Sequence, residues 1–285
     1  MREFVRTGIR FDMRKLLIKA AYNGKNYCGF QSQKNGVTVQ GKLTEAAKIA
    51  FKTQCLVTGC SRTDSGVHAK GFCATVIPAS LESAQSEGQN DDWTCVPPDK
   101  ICEVLNNYLP HDIAVIDAAF VGTDFHPRYD AESKEYSYVI SDRGVRDPFR
   151  DGLVTRVLYK ISDDAVHLMN IAAESFCGTH DFRAFMAAGS KIETTVRTVH
   201  RAEVKRIGDD IVFEVSADGF LYNMVRIMTG TLLAVAQGKI AANDIVKIIQ
   251  SQDRRNAGVT VPPDGLYLNK VEYTKPVEWM FLTLK

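Results

Sequence analysis

The sequence predicts an α+β protein of two lobes, residues 1–120 and 121–285, and three observations carry that reading. Strand-like and helix-like segments follow one another without the regular alternation of a doubly wound sheet. Each half opens on a strand. Between the halves lies Phe125-His126-Pro127-Arg128, a connector in which Pro127 holds His126 extended. A chain of 285 residues is long enough for one large domain or for two lobes that share an interface.

Taken in order, residues 15–22 (KLLIKAAY) read as a strand that runs into the turn-forming Asn23-Gly24 and a polar, aromatic loop over 26–33. Val39–Phe51 has helical spacing, with Val39, Leu43, Ala46, Ala47 and Ala50 on one face and Lys42, Glu45, Lys48 and Lys52 toward solvent. The Gly, Ser, Thr and Asp cluster over 56–69 reads as a loop, and a strand resumes over 72–77. Such a loop is a candidate to line a cleft between lobes. Residues 80–92 (SLESAQSEGQNDD) have the composition of an exposed acidic insertion. A helix over 99–109 and a strand over 113–120 complete the first lobe, with the boundary near 121–127. The second has a strand over 135–140, an amphipathic helix over 163–176, a strand pair (198–207 and 211–217) around Gly208-Asp209, and an apolar helix over 221–237.

The composition, 45% hydrophobic and 24% charged, is that of a soluble globular chain, and no apolar run reaches the length of a membrane span. Seven scattered cysteines with no secretory signal before them point to a reducing compartment. The cytosol is favoured; Arg2, Arg6, Arg10, Arg14 and Lys15 leave an organellar address open, although Glu3, Asp12 and the lack of serine argue against it. The net charge of +1 hides an asymmetry, because residues 1–70 hold 13 Lys or Arg against 4 Asp or Glu. Charge segregated in this way can attract a polyanion, and solvated helix faces give the same count.

One loop carries most of the chemical information: Gly59-Cys60-Ser61-Arg62-Thr63-Asp64-Ser65-Gly66-Val67-His68-Ala69. Alone, an Arg-Thr-Asp-Ser-Gly string more often reads as a turn with a capped carboxylate than as a catalytic site. The longer segment closely resembles the catalytic loop of the TruA-type pseudouridine synthases, small-Arg-Thr-Asp-x-Gly-Val-His-Ala. Other blocks resemble that family in the same order over nearly the whole chain. They are Tyr22-Asn23-Gly24 with Tyr27-Cys28-Gly29-Phe30-Gln31, then Val39-Gln40 with Leu43, and Leu109-Pro110-x-Asp112-Ile113. Phe125-His126-x-Arg128 with Ala131 and the Lys134 to Tyr138 block follows, then Gly178-Thr179-His180-Asp181-Phe182, Phe220-Leu221-x-x-Met224-Val225-Arg226 and Gly265-Leu266-Tyr267-Leu268. Ser61 stands where the family commonly has Gly, and Tyr222-Asn223 where bacterial members often carry His; neither touches the Arg-x-Asp core. The insertion over 80–95 bears on which RNA is engaged.

The resemblance implies two α+β lobes joined in an extended, mostly antiparallel sheet, with helices on it and a central basic cleft. It implies conversion of uridine to pseudouridine in tRNA, on the 3′ side of the anticodon arm or at other tRNA uridines, by a homodimer that needs no cofactor and no metal. Asp64 would be the catalytic carboxylate, adding to the sugar as a nucleophile or removing a ribose proton. Arg226, on the apolar stretch Met224 to Met228, would pair with it, since a lone charge there is costly. Arg62 would handle the RNA while the uridine is extruded. Tyr136 would lie against the flipped uracil and assist loss of the C5 proton, and Leu266 would close the pocket. Lys25 and Lys70, with Lys34 and Lys42, are candidate phosphate contacts; His68 is read as structural. Two other classes stay open: an RNA-binding protein without catalysis, against which Arg62, Asp64, Tyr136 and Arg226 together argue, and a nucleoside glycosidase, which would employ a second paired carboxylate.

Overall fold

The computed structural model describes residues 14–82, 93–189 and 192–280. The N-terminal candidate address thus lies almost entirely outside the described residues, as does most of the acidic insertion. The described chain is an α+β fold whose strands form one large, mostly antiparallel sheet.

In chain order the elements are β1 (Arg14–Tyr22), α1 (Val39–Phe51), β2 (Cys55–Gly59), β3 (His68–Pro78), α2 (Ala79–Glu82), α3 (Ile101–Asn106), β4 (Ile113–Gly122) and β5 (Ala131–Ser141). They continue with β6 (Thr155–Arg156), α4 (Asp163–Glu174), β7 (Gly178–Asp181), β8 (Val196–Ile207), β9 (Asp210–Ala217), α5 (Met224–Ala236), α6 (Ile245–Ser251) and β10 (Leu266–Tyr273). The sheet order is β4-β1-β3-β10-β5-β9-β8-β7, with β2 on β3 and β6 on β5. The strands before residue 123 occupy one end of the sheet and β5 to β9 the other. The last strand lies between them, parallel to β3 through Tyr267 and His68, and antiparallel to β5 through Leu268 and Tyr136. That register brings the start of β3, just after the Arg62 to Asp64 loop, within one strand of Tyr136.

Local chemistry sets the element ends. Thr38 caps α1 by accepting from the Gly41 N–H, and Ser162 caps α4 by accepting from Ala165, where Asp163 and Asp164 also suit the positive end of the helix dipole. The apolar face of α1 expected from spacing is the buried one, with Phe51 added. Several boundaries differ from expectation. Residues 56–69 are not one loop, because Cys55–Gly59 pairs with β3 from Cys55 opposite Pro78 to Gly59 opposite Ala74. That pairing is non-local, and its Thr and Gly composition concealed it. The helix expected over 99–109 is shorter, since Pro98–Lys100 forms a 3-10 turn before α3. The helix α5 starts at Met224 because Asn223, at a φ of 60°, takes the left-handed conformation before it.

Candidate active site

Residues 60–67 link β2 to β3 and carry Arg62 and Asp64. Their shape is imposed by the loop after β1. The Phe30 N–H donates to the Thr63 carbonyl at 3.1 Å, and the Gly66 N–H and Ser65 hydroxyl donate to the Tyr27 carbonyl at 3.3 and 3.1 Å. Buried Tyr22 meets the Thr63 hydroxyl at 2.8 Å. The two segments approach so closely that a Cβ on Gly29, whose φ is +83°, would lie 2.6 Å from the Thr63 carbonyl oxygen. A Cβ on Gly24 would collide with the Val67 carbonyl. The Tyr-Asn-Gly and Tyr-Cys-Gly-Phe blocks are therefore the cradle of the Asp64 loop.

His68 completes that cradle. Its Nδ1 accepts from the Gly24 N–H at 3.0 Å, and its Nε2–H donates to the Asp264 carbonyl at 3.2 Å. The ring stacks on Tyr267 with centroids 4.7 Å apart. Both nitrogens are engaged, one as acceptor, so the neutral tautomer fits, and burial holds its pKa below the usual histidine value.

Asp64 and Arg226 lie far apart in sequence and meet in the fold. The Arg226 Nη1 stands 3.3 Å from Asp64 Oδ2, with side-chain exposures of 16% and 29%. The guanidinium is fixed by two further donations, Nε–H to the Val261 carbonyl at 2.8 Å and Nη1–H to Asn223 Oδ1 at 2.6 Å. Burial raises the Asp64 pKa above the usual aspartate value, and the Arg226 charge and hydrogen bond oppose that rise. The result is a partly desolvated carboxylate whose one counter-charge is held rigidly, an arrangement more often found at reactive sites than in surface ion pairs.

The pair opens on a cleft of about 900 Å³ whose lining includes Arg62, Tyr136 and Leu266. Tyr136 is 6% exposed, meets the Ser61 hydroxyl at 3.3 Å, and sits edge-on to Phe220 at 5.1 Å and 81°. Burial raises its phenol pKa, so the ring is neutral. Arg62 is exposed within the lining. The lining also holds Arg128, Lys134, Arg197 and Arg226 against two carboxylates, Asp64 and Asp218, which leaves the wall electropositive.

Five residues singled out from the sequence, Arg62, Asp64, Tyr136, Arg226 and Leu266, therefore share one cleft. Lys25 and Lys70 lie outside its lining. Lys25 pairs with Asp151 at 2.8 Å on a second cavity of about 430 Å³, and Lys70 stands over the Tyr267 ring at 5.0 Å. Lys34 and Lys42 are not in the lining either, and Lys42 pairs with Glu45 at 3.1 Å. Sequence reasoning underrated Ser61 and Asn223, the two departures from the family pattern, which touch Tyr136 and Arg226. It also assigned no role to Lys134 or Arg197. Alternation along β5 was the available signal for Lys134, two residues before Tyr136.

The chain is similar to known proteins along nearly its whole length. A tRNA pseudouridine synthase A of Clostridium acetobutylicum is 40% identical over 261 residues, covering 92% of this chain and 100% of that one. The protein of the same description from an Exiguobacterium species is 39% identical over 263 residues, covering 92% of this chain and 99% of its own length. Among solved structures, one of a Cbf5-Nop10-Gar1 complex aligns with 91% of this chain and 58% of that one at 14% identity, with a TM-score of 0.33, too loose a match to bear on the site. A family model described as tRNA pseudouridine synthase matches residues 18–130 and 172–274, which places every residue of the cleft discussed above except Tyr136 and Lys134 within matched segments. With that match and relatives at about 40% identity along nearly their whole length, the chain belongs to the tRNA pseudouridine synthase family.

Proposed function

We propose that the protein isomerises uridine to pseudouridine in tRNA, on the 3′ side of the anticodon arm, with Asp64 as the catalytic carboxylate. The observation that carries this reading is the Asp64 and Arg226 pair on the wall of an electropositive cleft, beside a buried aromatic ring. A volume of about 900 Å³ is ample for a nucleotide but not for a stacked stem, so the target uridine has to leave its helix to meet Asp64. Arg62, exposed at the lining, contacts the RNA that the uridine vacates in this reading.

The reaction breaks the bond between ribose C1′ and uracil N1 and joins C1′ to C5. Asp64 either adds to C1′ or takes the C2′ proton. Both routes require the ionised carboxylate, which Arg226 favours against desolvation. Tyr136 and Leu266 hold the freed base while it turns, and C5 loses its proton as N1 gains one. Electrons and atoms balance without a redox partner. Lys25 and Lys70, outside the cleft, are proposed contacts to more distant phosphates, and a homodimer in the cytosol is part of the same proposal.

Release of tritium from tRNA labelled at uridine C5 tests it. Asp64→Asn is expected to lower release by roughly 1000-fold or more while tRNA binding persists. Substantial turnover in that variant removes Asp64 from its role. Activity on free uridine in place of tRNA would point to a glycosidase instead.

A further inference from the structure

Among the described residues lining the cleft, Lys134 is a buried cation without an acceptor. It is 8% exposed and makes no ion pair or hydrogen bond there, whereas the half-buried Arg226 has three acceptors. It sits on β5 between Ala217 of β9 and Val271 of β10, two residues before Tyr136 and so on the same face. Its electrostatic surroundings do not neutralise it. Arg128 and Arg197 act on it with the same sign, and the neighbouring Cys60 thiol, pushed up by burial to about 11, is uncharged at neutral pH.

A largely desolvated ammonium with no counter-charge burdens the folded state, and the burden is lifted when a ligand supplies an anionic oxygen. Uracil is neutral, so its carbonyl oxygens would leave the charge uncompensated. A phosphodiester carries one full negative charge per nucleotide and enters the cleft with any extruded base. We infer that Lys134, flanked by Arg128 and Arg197, forms a phosphate subsite that takes an RNA backbone phosphodiester next to the extruded nucleotide. The inference rests on the cleft being an RNA site, and it adds a binding residue that fixes how deeply the flipped nucleotide enters.

The test compares Lys134→Met and Lys134→Arg with the wild-type protein. Readouts are tRNA affinity at a series of salt concentrations, label release, and melting temperature without RNA. Lys134→Met is expected to raise Kd and KM by about 10- to 100-fold, with the loss falling on KM more than on kcat. The slope of log affinity against log salt should shrink by about 1. Without RNA the variant should melt at the same temperature or higher, because a buried charge has gone. Lys134→Arg should restore most of the affinity. Wild-type affinity and salt slope in Lys134→Met overturn the subsite, as does a lower melting temperature with a loss that Arg does not repair. Absence of label release from the wild-type protein overturns the pseudouridylation reading instead.

Discussion

Replacing Arg226 by methionine isolates the electrostatic bond on which the site depends. At the observed separation of 3.3 Å, two unit charges at an effective dielectric of about 20 attract by about 5 kcal/mol, equivalent to about 3.7 pKa units. The Asp64 side chain keeps 29% of its exposure, so water screens part of this, and neighbouring charges typically shift a carboxylate by about 1 to 3 units. The sign follows from the chemistry. The guanidinium favours the ionised carboxylate, so its loss raises a pKa that burial already lifts. Because the ionised form reacts, the acid limb of kcat/KM moves to higher pH by about 1 to 3 units. On that limb the rate at a fixed pH falls by about 10- to 1000-fold. Label release under kcat/KM conditions across a pH series reads the shift, and a melting curve checks that α5 still packs. Arg226→Lys should recover part of the shift but lose the fixed geometry, since an ammonium lacks the fork that reaches both Val261 and Asn223. An acid limb unmoved in an active Arg226→Met variant would refute the pairing argument.

Tyr136→Ala should weaken substrate engagement by about 1–3 kcal/mol, as for other stacked rings, while Tyr136→Phe, losing only the contact to Ser61, should spare most of it. Equal KM changes in the two variants would count against the ring's role. Gly29→Ala forces a Cβ against the Thr63 carbonyl at a positive φ, so the Asp64 loop has to move; a loss of about 1–3 kcal/mol in stability and a fall in label release are expected by denaturant titration and assay. For His68 the folded pKa lies below the ordinary 6.5. The unfolded chain therefore binds the proton first, and the stability His68 confers is complete above about 6.5 and declines as pH falls toward the folded value. His68→Gln should flatten that part of the pH dependence of melting, and an unchanged profile would show that His68 is not its source.

Much of the site was legible because its chemistry sits in short, unusual strings. The Arg62 to Asp64 string alone reads as a turn and Tyr136 alone as core, so both were legible only through the resemblance of their blocks to the family, whereas the charge of Arg226 on an otherwise apolar helix stands out on physical grounds. Helix α1 was legible for a related reason: its apolar period is a local property, settled by neighbours three and four residues away. Strand β2 was not legible, because its partner lies about twenty residues on in β3, and a strand of five residues carries too little alternation to show itself. Ser61 looked inert for the same reason, since its contact, Tyr136, lies far along the chain on β5; Asn223 is near Arg226 in sequence, but its left-handed backbone, which the fold sets, is what seats it against the guanidinium.

By itself the sequence determined the chemical groups on offer and the local shapes that hold them: an aspartate in a tight loop, glycines that let two turns meet, a cation that needs a partner. The tertiary structure decided which of those groups act together. By pairing with β3 on one side and β5 on the other, β10 sets the distance from the Asp64 loop to Tyr136, and the seating of α5 sets the 3.3 Å approach of Arg226 to Asp64. It also decided which charges go without counter-ions. Desolvation depends on everything packed around a side chain, so whether a lysine is an ordinary surface group, like Lys42, or a buried cation awaiting an anion, like Lys134, is fixed only when the sheet closes.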